Sequence, residues 1–491
     1  MQQPPIKRLD ELFAVEPDRL GRLSFEVAGI YFDWSKTHLD QDRIGEFLTR
    51  AETAGFAAAR NALFAGEIVN ASEGRPATHI AERGSGAPED VDVATARRQR
   101  MRALVDAIEA GAFGDITGIL HIGIGGSVLG PALLVDALGR RTPAFNVRFL
   151  SNIDGAAFDD AVKALDPATT LVVAASKTFT TLETLTNMDA ARAWLRRAGI
   201  ADPDSRLIAV TAKPEAALDQ GIDETRILQF GEGVGGRYSL WSSVGLTAAL
   251  TLGWDEFEAL LEGAAEMDRH FRFAEPAASV PLIAAFTDRL YAEQLGCQTR
   301  ALFAYDERLR LVPFYLQQLE MESNGKSVTR DGKPVDHPTA PVTWGGTGTD
   351  AQHAVFQLLH QGTVLAPVEF VAVCEADDAQ DPEHHRLLLL NAFAQGAALM
   401  QGQQSDDPQR TYSGNRPSST VLLDRLDPRS LGALIAFYEH RTFANAVLLG
   451  INPFDQFGVE LGKDIARQLS EGADEESLDA STRALMERAG V

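Results

Sequence analysis

Residues 116–127 read ITGILHIGIGGS, an apolar run that passes directly into a cluster of glycines. The run has the length of one buried strand, and the glycines stand where a strand must turn sharply into the helix-like VLGPALLVDAL that follows. The same succession of a short β-branched run and a helical segment recurs along the chain. This alternation is typical of βαβ units around a parallel sheet.

Two rounds of this pattern are present. The first contains the runs ITGILHIGI, NVRFLSNI, TTLVVAAS, SRLIAVTA and TRILQF. The second contains RALFAY, PVTWG, VEFVAVC and STVLLDRL, with a long helix near 383–403. We therefore predict an α/β protein with two parallel-sheet domains and helical extensions at both ends. The predicted boundaries are a mostly helical N-terminal extension at 1–90, a first domain at 91–270, a second at 271–455 and a helical tail at 456–491.

Composition excludes several classes of protein. The 491 residues include 69 acidic and 45 basic side chains, a net charge of −24, which repels nucleic acid and anionic membrane surfaces. No apolar stretch approaches the ~20 residues of a membrane span. The two cysteines, Cys297 and Cys374, can build neither a disulfide framework nor a cysteine-based metal site. The start, MQQPPIKRLDELF, has no basic segment followed by an apolar run, so we expect no signal peptide and a cytoplasmic location.

Two turns after predicted strands are suited to bind an anion. In the glycine turn 123–127, backbone amides can face a phosphate or a sugar hydroxyl, although a tight turn needed only for packing is the alternative. Segment 176–181, SKTFTT, places hydroxyls and one lysine at a helix start, which suits a phosphate monoester. Its alternative is an ordinary helix cap with a surface lysine. Because ligands of open α/β sheets bind beyond the carboxyl ends of the strands, both turns should lie at one edge.

A third glycine-rich segment, GEGVGG at 231–236, spells the GxGxxG pattern of dinucleotide-binding proteins. That pattern normally opens the first βαβ unit and is followed about 20 residues later by an acidic residue that binds ribose. Here the segment ends a sheet, and Asp255 and Glu256 follow a helix and a turn. We therefore expect no nicotinamide cofactor. The histidines do not have the spacing of metal ligands, so we expect no metal either.

A candidate base lies in RLVPFYLQQLEMESNGK, residues 310–326. Asn324-Gly325 is a natural helix C-cap, which leaves Glu322 in the last turn. A carboxylate there faces the negative end of the helix dipole, a placement useful for a base that takes a proton from carbon. Gln318 lies one turn earlier on the same face and could hold a substrate hydroxyl. An exposed glutamate at a frayed helix end is the alternative.

Three cationic or titratable side chains complete the candidates. His353 is expected in the first turn of a helix that ends at Gly362, where a neutral imidazole could shuttle a proton. Arg237 begins a helix from a flexible turn and could stabilise an oxyanion. Lys463 lies beside an apolar stripe that we expect to be buried, formed by Phe457, Leu461, Ile465 and Leu469. A structural histidine, a surface arginine and a solvated lysine are the alternatives.

Taken together, these segments resemble the glucose-6-phosphate isomerase (phosphoglucose isomerase) family. The resemblance rests on IGIGGSVLGP, SKTFTTLET, VGGRYSLWSSVGL, QQLEMESNGK, AQHAVFQLLHQGT and FDQFGVELGK, in matching order and spacing. FDWSK and GEIVNASEGRPATHIAER near the N-terminus also look like that family, so the resemblance covers nearly the whole chain. It implies two sugar-isomerase (SIS) domains with doubly wound parallel sheets, of three-layer αβα type, and a homodimer in which His353 reaches the active site of the neighbouring subunit.

The resemblance further implies a reaction: reversible isomerisation of glucose 6-phosphate and fructose 6-phosphate through ring opening and a cis-enediol, in glycolysis and gluconeogenesis. Glu322 would move a proton between C2 and C1, and Arg237 would stabilise the negative charge. His353, assisted by Lys463, would open the sugar ring. The implied phosphate loop is Ser176, Lys177, Thr178, Thr180 and Thr181, with Gly126 and Ser127 on the sugar side. No metal or nicotinamide is required for such chemistry.

Two other functions stay open. An isomerase that also accepts mannose 6-phosphate would differ only in how C2 is held, which depends on the shape of the pocket. A non-catalytic SIS-domain sensor of sugar phosphates would need the phosphate-binding turns but none of the four catalytic candidates. All four are present here, and neither a helix-turn-helix motif nor a basic stretch accompanies them.

Overall fold

The computed structural model of the protein describes residues 6–141, 143–377, 381–470 and 478–491. Residues 1–5 of the predicted N-terminal extension and 471–477 of the predicted tail lie outside this set. The chain divides between Pro453 and Phe454 into a large N-terminal unit and a small C-terminal unit. Among the helices of the described residues, none combines the length and the apolar character needed to cross a membrane.

Strands and helices alternate along most of the described chain. The strands are β1 Ser24–Val27, β2 Ile30–Asp33, β3 Gly118–Ile122, β4 Asn146–Leu150, β5 Thr170–Ala175, β6 Leu207–Thr211, β7 Ile227–Gln229, β8 Thr299–Tyr305, β9 Val342–Thr347, β10 Val368–Val373 and β11 Ser418–Leu423. The helices are α1 Leu9–Val15, α2 Arg19–Leu23, α3 Gln41–Thr53, α4 Phe56–Phe64, α5 Pro88–Glu109, α6 Gly126–Leu138, α7 Gly155–Lys163, α8 Leu182–Arg197, α9 Pro214–Asp219, α10 Leu246–Leu252, α11 Trp254–Phe273, α12 Val280–Arg289, α13 Val312–Leu316, α14 Gly348–Gln352, α15 Phe356–Gln361, α16 Pro382–Gln401, α17 Pro428–Leu449, α18 Glu460–Ser470 and α19 Ala480–Ala489. Two π-helical segments, Leu290–Gln294 and Gln317–Glu322, continue α12 and α13.

The first sheet is entirely parallel, with strand order β4-β3-β5-β6-β7. Its central strands are buried on both faces, as expected for a sheet covered by helices on both sides. On one face, Leu120, Val172 and neighbouring side chains pack against residues of α7 and α8. On the other face, His121 bonds to Thr247 of α10. The predicted doubly wound arrangement is therefore confirmed for this half of the chain.

The second sheet has the order β1-β2-β11-β10-β8-β9. Its four strands from the second predicted round are parallel. Strands β1 and β2 were not predicted from the sequence; they form an antiparallel hairpin, and β2 pairs antiparallel with β11, with Phe32 opposite Val421. Ala28 and Gly29 in the connecting turn both have positive φ, as the tight turn of a two-residue hairpin requires. The N-terminal region is thus helical only in part. Its two strands were not predicted because four residues are too few to show the alternating apolar pattern of a strand.

A buried helix, α17, carries the main ionic network of the interior. Arg83 makes a two-bond ion pair with Asp268, with both N–O distances 2.7 Å, and both side chains are fully buried. His440 of α17 bonds to the same aspartate at 2.6 Å, and Glu439 accepts from Arg83 at 2.5 Å. Although burial opposes ionisation, Arg83 and His440 hold the pKa of Asp268 well below its usual range. These charges are satisfied by one another, as buried charges must be.

Candidate active site

Glycine 126 sits at the start of α6, directly after β3. A Cβ atom on Gly126 would lie 2.0 Å from the carbonyl oxygen of Gly236, so the two backbones are in close contact. Gly125, with φ +56°, precedes it, and a Cβ there would lie 2.7 Å from Nε2 of Gln318. Close packing therefore explains these glycines, and it brings the sugar-side turn against both Gln318 and the segment that leads to Arg237.

The phosphate-loop candidates form one turn between β5 and α8. The Ser176 hydroxyl is 3.0 Å from that of Thr181 and accepts a hydrogen bond from the Phe179 amide. Phe179 has φ +53° and a buried ring, which anchors the turn. Thr178 and Thr180 are exposed and bond to each other. The Thr181 side chain makes no capping bond to the amides of α8, so the first amides of this 16-residue helix are open to an anion.

Lysine 177 connects this turn to the third glycine-rich segment. Its ammonium group donates to the carbonyl of Val234 at 3.0 Å. Burial, together with the nearby charge of Arg75, lowers the pKa of Lys177 to about 8. Val234 lies in the GEGVGG segment, which packs against residues 76–78: a Cβ on Gly233 would lie 2.8 Å from the Thr78 hydroxyl. The glycines of this false dinucleotide motif therefore serve close packing beside the phosphate turn.

Arg237 and Glu322 meet at the same edge of the first sheet. Nη1 of Arg237 is 3.4 Å from Oε1 of Glu322, and the arginine is buried while the glutamate side chain is one-fifth exposed. Nε of Arg237 donates to Ser323 at 2.6 Å, and Nη2 donates to the Pro453 carbonyl at 2.5 Å. The guanidinium is thus fixed by three groups around it, and the carboxylate is the partly open member of the pair.

Glu322 lies in the last turn before the helix end at Asn324, as predicted, but the turn is π-helical over Gln317–Glu322. π-helical turns are uncommon and occur frequently at functional sites. Lys326 donates to the Glu322 carbonyl at 2.9 Å and so satisfies a carbonyl at the end of the helix. Gln318, four residues before Glu322, contacts the glycine turn as described above. The helix thus directs both predicted side chains toward the carboxyl edge of the first sheet.

His353 lies elsewhere. The predicted single helix is broken: α14 ends at Gln352, His353 is its C-cap, and α15 begins only at Phe356. The expectation that His353 lies in the first turn of a long helix is therefore wrong, and the dipole argument made for it does not apply. The side chain is exposed, and within the described residues no hydrogen bond joins it to Glu322 or Arg237.

Lys463 is on α18, in the small C-terminal unit. The apolar stripe beside it was expected to be buried, and that expectation is wrong for three of its members. Phe457 is 52% exposed, Leu461 70% and Ile465 39%. An amphipathic helix has the same spacing of apolar residues whether or not its apolar face is covered. The sequence therefore could not decide whether this stripe is buried.

Two residues that hold the site together, His121 and Tyr238, were not predicted from the sequence. His121 of β3 is fully buried, and its Nε2 bonds to the carbonyl of Ser127 at 2.8 Å, which fixes the start of α6. Burial lowers the pKa of His121 to about 4, so it is neutral near pH 7. The hydroxyl of Tyr238 lies 3.0 Å from that of Ser323, behind Arg237. The sequence contains a signal for each: His121 is a polar residue inside an apolar strand, and Tyr238 directly follows the catalytic candidate Arg237.

Similarity to known proteins extends over nearly the whole chain. A sequence model of the family described as phosphoglucose isomerase matches residues 33–486. The chain belongs to the phosphoglucose isomerase family. The glucose-6-phosphate isomerase of Rhizorhabdus wittichii is 64% identical over 490 residues, covering 100% of this chain and 98% of that protein. That of Zymomonas mobilis is 56% identical over 480 residues, covering 98% and 95%. A crystal structure of a glucose-6-phosphate isomerase from Chlamydia trachomatis is 30% identical, with a TM-score of 0.90, and covers 99% of this chain and 96% of that one.

The resemblance drawn from the motifs is thereby confirmed, and so is the α/β fold with parallel sheets. The family match spans the first sheet, strands β8 to β11 of the second sheet and most of the C-terminal unit, in agreement with the distribution of the motifs along the chain. At the edge of the first sheet described above, a helix start without a side-chain cap, a fixed arginine and a carboxylate come together.

Proposed function

We propose that this chain is a glucose-6-phosphate isomerase that interconverts glucose 6-phosphate and fructose 6-phosphate, a reaction of glycolysis and gluconeogenesis. The observation that carries the proposal is the pair of Glu322 and buried Arg237, beside two turns suited to a sugar phosphate. A carboxylate can take a proton from a carbon next to a carbonyl, and a fixed guanidinium can stabilise the charge that develops on oxygen. The names of the related isomerases support the same reaction.

Binding begins with the phosphate. Its oxygens would accept hydrogen bonds from hydroxyls and amides at the start of α8, where the helix dipole also favours negative charge. The proposed phosphate ligands are Ser176, Lys177, Thr178, Thr180 and Thr181, and the proposed sugar ligands are Gly126, Ser127 and Gln318. Lys177 already donates to a backbone carbonyl, so it can exchange that acceptor for a phosphate oxygen without leaving its place.

The carboxylate of Glu322 carries the proton between the two carbons. Glu322 takes the proton on C2 of the open-chain aldose, and the electron pair of that C–H bond forms the C1–C2 double bond of a cis-enediolate. The negative charge on O1 is stabilised by Arg237. Glu322 then returns its proton to C1, the proton of the O2 hydroxyl ends on O1, and C2 becomes the carbonyl of the ketose. Atoms and charge balance without a cofactor.

His353 and Lys463 are proposed for ring opening, in which a proton moves to or from the ring oxygen. The role of Lys463 rests on the family resemblance. For His353 we propose that it acts in the site of a second copy of this chain, in a homodimer. Three observations support this: its side chain is exposed, it has no bond to Glu322 within the described residues, and it adjoins a groove of about 520 Å³ beside exposed Leu358. An apolar groove of this kind suits a protein interface.

A mixed dimer tests the shared site. Glu322→Gln and His353→Ala subunits are each expected to be nearly inactive as homodimers. In a purified heterodimer of the two, one site would combine an intact Glu322 with an intact His353, and activity would return to about half that of wild type, because one of two symmetric sites is complete. A heterodimer as inactive as its parents would contradict the shared site.

The reaction itself is tested with fructose 6-phosphate, by following glucose 6-phosphate formation through a coupled dehydrogenase in the presence of excess chelator. Glu322→Gln is expected to lower kcat by roughly 10²-fold or more, the scale on which a general base contributes. Glu109→Gln, at the exposed last residue of α5, is the matched control and should leave kcat unchanged. A folded wild type that binds fructose 6-phosphate without converting it would instead indicate a sensor. Activity on mannose 6-phosphate would extend the substrate range.

We also propose the domain boundaries given above and a cytoplasmic location. All five strands of the first sheet fall within 91–270, and four of the six strands of the second sheet fall within 271–455, which supports the division. Strands β1 and β2, although located in 1–90, belong to the second sheet. The cytoplasmic location rests on the sequence and on the resemblance to the family.

A further inference from the structure

Two glutamates on the π-helical turn point to opposite sides of it. Glu322 faces Arg237 at the edge of the first sheet, whereas Glu320, two residues earlier, contacts strands of the second sheet. Side chains two residues apart on a helix do not share a face. The same turn is therefore bound on one side to the site and on the other to a separate layer of the protein.

The contacts of Glu320 are buried and specific. Its carboxylate forms an ion pair with Nη2 of Arg300 on β8, and Oε2 accepts a hydrogen bond from the hydroxyl of Thr343 on β9 at 2.7 Å. The exposed fractions of Glu320, Arg300 and Thr343 are 7%, 4% and 1%. Hydrogen bonds to a charged group are among the stronger ones in proteins, and burial strengthens them further. The turn is thus held between two arginines, Arg300 on one side and Arg237 on the other.

Arg300 has little else to bind. Its Nη1 lies 3.7 Å from Oδ1 of Asp288, and within the described residues Nε and Nη1 make no hydrogen bond. It lines a cavity of about 20 Å³, room for about one water molecule. Burial and Arg441 oppose the charge on Arg300, but Glu320, Asp288 and Glu369 more than compensate, and the pKa of Arg300 is raised. Loss of Glu320 would therefore remove the hydrogen-bonded carboxylate of a buried cation.

We propose that Glu320 is a positioning residue for Glu322: through Arg300 and Thr343 it fixes the π-helical turn so that the Glu322 carboxylate reaches the reacting carbons. The inference rests on the proposed function. Its physical basis is that a π-helical turn is uncommon and is maintained by tertiary contacts. If the contacts of Glu320 are lost, the turn can relax toward α-helical geometry, which rotates Glu322 about the helix axis. Of the proposed substrate ligands, Gln318 shares this turn, but the phosphate ligands lie on the separate turn 176–181, so substrate binding should change little.

The first test separates kcat from KM. Glu320→Gln is expected to lower kcat by about tenfold with KM for fructose 6-phosphate within about twofold, since misplacement of a catalytic group affects the transition state more than ground-state binding. Thr343→Val removes only one hydrogen bond to Glu320, and kcat should fall by about threefold. Glu369→Gln is the control, because Glu369 is another buried carboxylate near Arg300, but its hydrogen bonds come from Tyr438 and Arg441 of α17 and not from the π-helical turn. It should lower stability and leave kcat unchanged.

A second readout follows the hydrogen that Glu322 carries. With glucose 6-phosphate deuterated at C2, the fraction of deuterium recovered at C1 reports how directly the carboxyl returns its proton. This fraction should fall in Glu320→Gln and equal that of wild type in Glu369→Gln, because a loss of stability alone does not change it per turnover. If Glu320→Gln fails to fold, Thr343→Val decides the matter on both readouts.

The outcomes separate the two proposals. If wild type is active and Glu320→Gln leaves kcat and deuterium transfer unchanged, the positioning role alone is overturned. Where Glu320→Gln does not fold, unchanged values in Thr343→Val have the same meaning. A fall in kcat of the same size in Glu369→Gln also overturns it, because the effect would then be general to buried charges. An inactive wild type overturns the proposed function, and the positioning role with it.

Discussion

Alanine at position 126 provides the sharpest test of the site's packing. The Cβ of Gly126→Ala would lie 2.0 Å from the Gly236 carbonyl oxygen, and real Cβ atoms essentially never approach another atom within 3.0 Å. Either the start of α6 or the segment leading to Arg237 must therefore move by roughly 1 Å, a displacement that can cost about 10²-fold in rate when it separates catalytic groups. We expect kcat for fructose 6-phosphate to fall by about that factor.

The assay is the coupled dehydrogenase assay on folded protein, with thermal unfolding recorded in parallel. Gly155→Ala is the matched control, because Gly155 is also the first residue of a helix, α7, and a Cβ there meets no atom within 4 Å. It should retain the kcat of wild type. A folded Gly126→Ala enzyme with kcat within about twofold of wild type would refute the argument that this contact sets the distance between the sugar-side turn and Arg237.

Two further predictions concern charge. Lys177, with its pKa lowered to about 8, loses its proton above pH 8, so KM for fructose 6-phosphate should rise there by up to about tenfold per pH unit. In Lys177→Arg the side chain stays charged, and the rise in KM should disappear. An equal rise in KM in both proteins would contradict this role of Lys177. Asp268→Asn leaves Arg83 buried with one carboxylate fewer and should lower the free energy of unfolding by about 3–5 kcal/mol, measured in urea. Glu383→Gln is the control, because it removes the exposed ion pair between Glu383 and Arg386 on α16 and should leave the urea midpoint unchanged.

Much of the site was predictable because it depends on local order along the chain. The strand–glycine–helix succession at 116–138 and the strand–hydroxyl–helix succession at 169–197 each determine where backbone amides are free, since a parallel strand must end in a turn before its helix. Glu322 was placed correctly in a last helical turn by the Asn324-Gly325 signal. Such features need only neighbouring residues, so a single sequence carries them.

Other features depend on residues far apart in the sequence. Arg237 acquires its partners from Ser323 and Pro453, and β2 pairs with β11 across nearly 400 residues, which no local period encodes. The break between α14 and α15, which leaves His353 outside its predicted turn, is likewise not visible in the sequence, because residues 350–362 have helical spacing throughout.

By itself, the sequence determined the alternating α/β pattern, the family and the residue types of the site. Strand and helix periods, glycine turns and motif spacing are all local properties of the chain. The tertiary structure alone decided that Glu322 faces Arg237 at 3.4 Å and that its turn is π-helical, with Glu320 bound to Arg300 on the opposite side. The physical reason is that side-chain distances and the charge of buried groups depend on which distant segments are packed around them.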